Sequence, residues 1–173
     1  MKNLKSVELL LLDVDGVLTD GSIIYDDNFV EIKTFNVKDG LGIRLLIEHG
    51  INVGIVTGRR SKALSRRCED LGIDLIYDGV KDKAGLLGQI TKRTGVDARN
   101  MAFVGDDLPD IALMKQVGFS IAVSDAHETV INIADMVTIA KGGFGAVREV
   151  CEAILRAKDL WAWILKQDYN ALS

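Results

Sequence analysis

The sequence predicts an α/β fold in which helices cover both faces of a doubly wound parallel sheet. Six short aliphatic runs recur along the 173 residues, and helical apolar patterns separate most of them. Strands that alternate with helices form parallel pairs joined by right-handed crossovers, as in Rossmann-like sheets. The chain has one proline and no proline- or serine-rich linker, and its length suits one domain. We therefore expect a single domain over 1–173.

The six candidate strands are short aliphatic runs bounded by polar or turn-forming residues. Runs of this kind are typical of strands that are buried on both faces of a sheet. Their alternation with helical segments predicts that they form parallel strands of one sheet. The runs lie at 7–13, 51–57, 74–79, 100–106, 118–123 and 135–140.

Residues with helical spacing lie between the strand candidates. Leu64, Cys68 and Leu71 follow an i, i+4, i+7 pattern, which predicts a helix with one face on the sheet. A second stripe further along the chain predicts another such helix. It is formed by Ala84, Leu87, Thr91 and Thr94.

The C-terminal segment 144–173 has apolar positions at nearly heptad spacing, which predicts a long helix followed by a tail. Trp161, Trp163 and Tyr169 give this segment more aromatic surface than a solvated tail requires. Two interpretations are equally open. The aromatic residues pack on a partner chain, or the helix packs within its own chain and its end is frayed.

Residues 21–36 interrupt the alternation of strands and helices. Two extended runs flank Asp26, Asp27 and Asn28, and these three residues are good turn formers. The segment therefore predicts an antiparallel β-hairpin, which forms a flap after the first strand.

Composition and charge indicate a globular protein of a reducing compartment. Hydrophobic residues make up 48% of the chain and charged residues 27%, and the net charge of −4 provides no basic field for nucleic acid. Cys68 and Cys151 lie among aliphatic residues without metal-ligand spacing. The apolar run 9–12 is too short for a signal peptide or a membrane span. We expect a cytoplasmic protein that binds neither nucleic acid nor membrane.

Polar residues follow several of the predicted strands. The carboxyl ends of parallel strands meet in one crevice, so these residues should lie close together. Several carboxylates in one crevice repel one another unless a cation neutralises them, and an all-oxygen set favours Mg²⁺ over zinc. A magnesium site of this kind indicates phosphoryl chemistry. The residues are Asp13, Asp15, Thr57, Gly58, Asp106 and Asp107.

Four short motifs resemble those of the haloacid dehalogenase superfamily. The stretch DVDGVLT at 13–19 is similar to its DxDGxLT motif, and Thr57 with Gly58 is similar to its second motif. Lys83 matches its third motif, and GDDLPD at 105–110 its fourth. All four occur in order, each beside the end of a predicted strand or the start of a predicted helix. The resemblance implies the superfamily's fold and a phosphatase that depends on Mg²⁺.

The resemblance also implies roles for the acidic residues. Asp13 would be the nucleophile and a metal ligand, and an aspartyl-phosphate would divide the reaction into two steps. Asp15 would be the acid/base, with its backbone carbonyl on the metal, and Asp106 would be a further metal ligand. Asp107 and Asp110 would support the metal shell from behind.

Most members of the superfamily enclose the substrate with a cap domain, but only about 20 residues separate the first motif from the next predicted helix. That length holds the flap and no cap domain. A capless member must cover its site in another way, and a homotetramer in which flap and tail reach a neighbouring subunit would do so.

Several segments resemble a capless subgroup of tetrameric, Mg²⁺-dependent phosphatases. These enzymes act on an eight-carbon 3-deoxy sugar acid 8-phosphate in the synthesis of Gram-negative lipopolysaccharide. The segments are FNVKDGLGIR at 35–44, TGR at 57–59, RRC at 66–68 and GGFGAVREV at 142–150. Thr57, Gly58 and Lys83 would hold the phosphoryl group, and arginine forks suit both the carboxylate and the phosphate of such a substrate. The remaining implied substrate residues are Asn36, Val37, Lys38, Asp39, Gly40, Arg44, Arg59 and Arg67.

Three alternatives remain open. A phosphatase for a nine-carbon, sialic-type sugar acid 9-phosphate would share the motifs, although Arg59 and the intact NVKDG segment favour the eight-carbon substrate. A phospho-receiver module would also use clustered acids and Mg²⁺, but it should lack a second acid at the position of Asp15. A non-catalytic regulatory module is disfavoured by the complete acid set.

Overall fold

The computed structural model describes residues 3–167. This part of the chain contains eight strands and seven helices, with short 3₁₀ turns between some of them. The strands are β1 (Leu9–Leu12), β2 (Ile24–Tyr25), β3 (Glu31–Ile32), β4 (Asn52–Val56), β5 (Leu75–Tyr77), β6 (Met101–Gly105), β7 (Phe119–Ala122) and β8 (Met136–Val137). The helices are α1 (Val37–Glu48), α2 (Lys62–Leu71), α3 (Leu87–Thr94), α4 (Ile111–Met114), α5 (Glu128–Ile133), α6 (Ala146–Ala157) and α7 (Trp161–Gln167).

Six strands form one sheet in the order β5-β4-β1-β6-β7-β8. Every neighbouring pair in this sheet is parallel, so the predicted doubly wound parallel sheet is confirmed. The strand order reverses at β1, because the chain builds outward from β1 to β4 and β5 on one side and to β6, β7 and β8 on the other. A reversal of this kind opens a crevice at the carboxyl ends of the strands.

The central strand β1 is buried on both faces. Leu10 and Leu12 pack into one hydrophobic core with α1, α2, α6 and α7. Leu9 and Leu11 point to the opposite face and pack with α3, α4 and α5. A four-residue aliphatic strand with no polar side is therefore required, because each residue contacts one of two cores.

The predicted flap is a two-stranded antiparallel hairpin. Ile24 pairs with Ile32, and Tyr25 with Glu31. The Asp26 carboxylate accepts hydrogen bonds of 2.9 and 2.8 Å from the backbone N–H groups of the turn residues 28 and 30. Between β1 and α1 the described chain contains this hairpin and no cap domain, as the sequence predicts.

The segment after Phe144 differs from the predicted single long helix. The helix α6 ends at Ala157, and the backbone N–H groups of Asp159 and Leu160 bond to the carbonyls of Arg156 and Leu155. Asp159 has φ +62°, so the left-handed residue of a Schellman cap stops the helix before α7 begins.

The aromatic residues of this segment have different environments. Trp161 is buried beneath the guanidinium groups of Arg148 and Arg156, whose central carbons lie 5.5 and 5.1 Å from its ring centroid. The intramolecular interpretation therefore holds for Trp161. Trp163 is 52% exposed and meets the edge of the His49 ring. Tyr169 lies outside the described residues.

The helix predicted from the stripe of Ala84, Leu87, Thr91 and Thr94 is present as α3, after a 3₁₀ turn that contains Ala84. These four residues are only half-buried, and the residue at the centre of the buried face is Ile90. No helix within 3–167 combines the length and the apolar character that crossing a membrane requires.

Candidate active site

The carboxyl ends of β1, β4 and β6 open into one crevice of about 490 Å³. Asp13 follows β1, Thr57 follows β4 and Asp106 follows β6. Because these strands are neighbours in the sheet, the three residues face one another. The crevice contains every residue to which the four motifs assign a role. It is lined by Asp13, Asp15, Gly21, Thr57, Gly58, Arg59, Val80, Lys81, Lys83, Asp106, Asp107, Pro109 and Asp110.

The first turn after β1 directs its acids into the crevice. Gly16 has φ +85°, and the backbone N–H groups of residues 17, 18 and 19 all bond to the carbonyl of Val14. A Cβ atom at Gly16 would overlap the carboxylate of Asp106, so glycine is needed both for the conformation and for the close approach.

Carboxylate oxygens of Asp13, Asp106 and Asp110 lie within 4.8 Å of one another. Both carboxylate oxygens of Asp110 already have partners within this acid cluster. Its Oδ1 atom accepts a hydrogen bond from Lys83, and its Oδ2 atom accepts from the backbone N–H groups of Asp106 and Asp107. Asp107 in turn accepts from the backbone N–H of residue 108 and completes a capping box with Asp110. Asp13 and Asp106 are therefore the members left to bind a ligand.

Lys83 is the cation of the acid cluster. Its ammonium lies 2.9 Å from the Oδ2 atom of Asp13 and 2.6 Å from the Oδ1 atom of Asp110, and its side chain is 5% exposed. Burial alone would lower the pKa of Lys83, but the carboxylates of Asp13 and Asp110 raise it above its ordinary value. Lys83 stays charged and faces the crevice.

One cation does not neutralise three acids. Burial raises the pKa of Asp13 to about 6, although Lys83 opposes the rise. Burial, together with the charges of Asp13, Asp110 and Asp107, raises the pKa of Asp106 to about 8. The cluster thus has an excess of negative charge and offers only oxygen donors, which is the environment that a hard divalent cation such as Mg²⁺ requires.

The carboxylate of Asp15 is held by the flap and not by the acid cluster. Its Oδ1 atom contacts the ammonium of Lys33, and its Oδ2 atom lies 3.6 Å from Nε of Arg59. Glu31 lies 2.9 Å from the Lys33 ammonium and 3.3 Å from Nη2 of Arg59, which also donates a 3.2 Å hydrogen bond to the Tyr25 hydroxyl. We call Asp15, Glu31, Lys33 and Arg59 the flap network.

The sequence motifs did not identify two cations near the crevice. Lys81 is an exposed rim residue, two positions before Lys83. Lys33 lies just after β3, where its side chain is almost completely buried. One sequence signal could have indicated Lys33: it is two residues from Glu31 in an extended segment, so both side chains point to the same face of the hairpin.

A second group of predicted residues lies at the start of α1, outside the crevice wall of a single chain. Asn36 caps the helix by accepting from the backbone N–H of Lys38, and its amide donates to the carbonyl of Gly143. Arg67 of α2 donates to the carbonyl of Asn36, and a Cβ atom at Gly40 would overlap the Arg67 guanidinium. The side chains of Val37, Lys38 and Arg44 are exposed.

Asp39 is 1% exposed, and its carboxylate points toward α6. The Oδ1 atom accepts a 2.7 Å hydrogen bond from the backbone N–H of Arg148 in the first turn of that helix. Burial raises the pKa of Asp39, while the backbone donors of Arg148 and Gly145 oppose the rise. Asp39 therefore acts as a cap for α6, whose own cap position is occupied by Gly145.

Comparisons with known proteins agree with this arrangement. A family model for haloacid dehalogenase-like hydrolases matches residues 75–147. The chain is 46% identical over 154 residues to the 3-deoxy-D-manno-octulosonate 8-phosphate phosphatase KdsC of Escherichia coli (strain K12), a match that covers 89% of this chain and 82% of that relative.

Two solved structures are also similar to the chain. One is the 3-deoxy-D-manno-octulosonate 8-phosphate phosphatase from Moraxella catarrhalis in complex with magnesium ion, phosphate ion and a KDO molecule, with TM-score 0.93, 41% identity and coverage of 95% of both chains. The other is the cobalt-bound deoxy-D-mannose-octulosonate 8-phosphate phosphatase from Haemophilus influenzae, with TM-score 0.92, 39% identity and coverage of 98% of this chain and 99% of that chain.

Proposed function

Because the chain belongs to the 3-deoxy-D-manno-octulosonate 8-phosphate phosphatases among the haloacid dehalogenase-like hydrolases, we propose that it converts this phosphomonoester to the free sugar acid and phosphate. The sugar acid is a precursor of Gram-negative lipopolysaccharide. One observation carries the proposal: the acid cluster and Lys83 meet at the switch point of the sheet, and the chain that holds them is 46% identical to such an enzyme. The cofactor is Mg²⁺.

Asp13 is the proposed nucleophile. Its carboxylate oxygen attacks phosphorus, the bond from phosphorus to the sugar oxygen breaks, and an aspartyl-phosphate forms. Lys83 lies 2.9 Å from this carboxylate and fixes its position. When bound to Asp13, Asp106 and the backbone carbonyl of Asp15, Mg²⁺ supplies neutralising charge for the acids and the phosphoryl oxygens.

Asp15 is the proposed acid/base. In the first step it gives its proton to the departing sugar oxygen. In the second step it takes a proton from the water that attacks the aspartyl-phosphate, which releases phosphate and restores Asp13. Asp15 also argues against a phospho-receiver module, since such a module needs a long-lived phosphorylated aspartate.

Three donors around the crevice suit the phosphoryl oxygens. Thr57 is 2% exposed with its hydroxyl beside the backbone N–H of Arg59, Gly58 follows it, and Lys83 is opposite. We assign the hydroxyl of Thr57, the backbone N–H of Gly58 and the ammonium of Lys83 to phosphoryl binding. Asp107 and Asp110 support the loop that carries Asp106.

The sugar end of the substrate requires further groups. Arg59 stands at the crevice and is the proposed partner of the substrate carboxylate. The other proposed substrate residues lie beside the crevice, around the start of α1, where a neighbouring subunit would close the site. They are Asn36, Val37, Lys38, Gly40, Arg44 and Arg67, together with the backbone of Asp39, whose carboxylate is used to cap α6.

We propose a homotetramer in which flaps from neighbouring subunits cover the sites. The apolar flap residues support this arrangement, because solvent-exposed clusters of this kind mark interfaces. Their exposed fractions range from 45% to 89% for Ile23, Ile24, Phe29, Val30 and Ile32. Light scattering at micromolar concentration should give a tetramer, and a monomer would contradict the shared site.

We also propose a cytoplasmic location. Cys68 and Cys151 are both buried free thiols, which suits a reducing compartment.

Phosphate release from a panel of sugar phosphates tests the function. The panel contains the eight-carbon 3-deoxy sugar acid 8-phosphate, a nine-carbon sialic-type 9-phosphate and glucose 6-phosphate, each with Mg²⁺ or with EDTA. The eight-carbon substrate should have the highest kcat/KM, and EDTA should abolish its hydrolysis. Faster turnover of the nine-carbon ester, or full activity in EDTA, would contradict the proposal.

A further inference from the structure

The flap is largely exposed, yet the side chain of its lysine is almost completely shielded from solvent. Every residue from 21 to 30 is exposed, whereas the side chain of Lys33 is 2% exposed. A lysine side chain is rarely buried to this degree unless it is paired. The two acids that pair with it belong to different segments: Glu31 is on the flap, and Asp15 is on the turn after β1.

The flap network holds one oxygen of Asp15 by a direct hydrogen bond and places a second cation near the other oxygen. Lys33 contacts the Oδ1 atom, and Arg59 lies 3.6 Å from the Oδ2 atom. The Oε1 atom of Glu31 bridges the same two cations, at 2.9 Å from Lys33 and 3.3 Å from Arg59. With Asp15 ionised, as it is once it has given up its proton, the two acids and two cations of the network balance, and the ion pairs compensate for the burial of Lys33.

The exposure of the partners indicates where Lys33 acts. The Arg59 side chain is 39% exposed, so its contact with Asp15 is partly screened by water. The contact between Lys33 and Asp15 joins a side chain that is 2% exposed to one that is 23% exposed, so water screens it less. Of the two cations beside Asp15, Lys33 therefore limits the orientation of the Asp15 carboxylate more strongly.

We propose that Lys33 is a positioning residue that orients the Asp15 carboxylate for proton transfer to the leaving sugar oxygen, with Glu31 holding Lys33 in place. The inference deepens the proposed function and rests on the role of Asp15 in it. Lys33 does not touch the substrate. It makes the flap part of the catalytic apparatus of its own subunit, in addition to any role of the flap as a cover.

A double-mutant cycle on the eight-carbon substrate tests this inference. Lys33→Met should lower kcat/KM by about tenfold or more, because a misplaced acid forfeits part of the contribution of general acid catalysis. In an Asp15→Asn background the same substitution should cost less than about twofold, because no acid remains to be positioned. Lys33→Arg should recover most of the wild-type rate.

The leaving group provides an independent readout. The p-nitrophenolate ion leaves phosphorus without protonation, so Lys33→Met should reduce kcat/KM for p-nitrophenyl phosphate far less than for the sugar phosphate. Glu31→Gln leaves Lys33 and Asp15 intact. It should also reduce kcat/KM more for the sugar phosphate than for p-nitrophenyl phosphate, but by a smaller factor than Lys33→Met. Lys92→Met, at an exposed position on α3, is the matched control and should be neutral for both substrates.

The outcomes separate this inference from the function on which it rests. If the wild type hydrolyses the sugar phosphate but Lys33→Met reduces both substrates equally, increases the rate or has no effect, the positioning role is wrong and the phosphatase stands. Equal costs of Lys33→Met with and without Asp15 would also overturn it. If the wild type hydrolyses neither substrate, the proposed function itself fails.

Discussion

The ammonium of Lys83 lies 2.9 Å from the Oδ2 atom of Asp13, and the two side chains are only 5% and 12% exposed. The same ammonium lies 2.6 Å from Asp110, which anchors the loop after β6. A single buried cation therefore connects the proposed nucleophile to the loop that carries the metal ligand Asp106.

Lys83→Met should lower kcat/KM by about 100-fold to 1000-fold, because the variant loses a preorganised donor to the phosphoryl group and the cation that fixes Asp13. Steady-state phosphate release measures the loss. Lys92→Met replaces a lysine that is exposed on α3 and should leave the rate unchanged. A Lys83→Met variant with nearly wild-type kcat/KM would contradict the role of Lys83.

Magnesium should stabilise the fold more at pH 8 than at pH 6. In the metal-free protein the pKa of Asp13 rises from 3.8 to about 6 and that of Asp106 to about 8, so the folded state retains protons that the unfolded chain has released. Its stability therefore falls as pH rises through this range. Bound Mg²⁺ requires the deprotonated acids, so it should reverse the loss. Thermal unfolding with EDTA or Mg²⁺ measures both effects.

Asp106→Asn is the control for this pH dependence. Without the Asp106 carboxyl group, the metal-free protein should lose less stability between about pH 6 and pH 8, because the pKa of Asp106, raised to about 8, accounts for most of the extra proton that the folded state holds there. The variant should also bind Mg²⁺ more weakly in calorimetry. An unchanged pH profile would show that Asp106 is not the group responsible.

Asp39→Ala should lower the free energy of unfolding by about 1–2 kcal/mol, the usual cost of losing a helix cap. The Asp39 carboxylate is buried and accepts a hydrogen bond from the backbone N–H of Arg148 at the start of α6. Urea denaturation measures the change. Asp27→Ala, in the exposed turn of the flap, should leave the free energy of unfolding unchanged, and equal effects of the two substitutions would contradict the capping role.

Gly142→Ala should impair folding or activity severely, whereas Gly88→Ala should be neutral or stabilising by about 0.5–1 kcal/mol. A Cβ atom at Gly142 would overlap the carbonyl of Gly16 and displace the turn that carries Asp15, whereas a Cβ atom at Gly88 of α3 meets nothing within 4 Å. Thermal unfolding and phosphate release compare the pair. Wild-type behaviour of Gly142→Ala would mean that the two loops are not tightly packed.

The sheet and the crevice could be predicted from the sequence because both follow from local patterns and one topological rule. Each strand of the six-stranded sheet lies in a short, mainly apolar run, and the residue after it lies at the carboxyl edge. Asp13, Thr57 and Asp106 therefore had to meet once the strand order placed β4 and β6 on either side of β1.

Other features depend on contacts between residues that are distant in the sequence. Lys33 meets Asp15 across 18 positions, and Asp39 meets Arg148 across 109, so neither spacing has a local signature. The end of α6 was missed for another reason: the apolar pattern continues through it, while Asp159 adopts a left-handed conformation that glycine usually provides.

Covalent labelling of Asp13 tests the central claim most directly. The wild-type enzyme is mixed with Mg²⁺ and the eight-carbon substrate carrying ³²P in its phosphate, quenched in acid within one turnover, digested and analysed by mass spectrometry and radioactivity. The account predicts acid-stable label on the peptide that contains Asp13 and none in Asp13→Asn. Rapid phosphate release with no labelled peptide at any quench time, or label that persists in Asp13→Asn, would contradict an aspartyl-phosphate on Asp13.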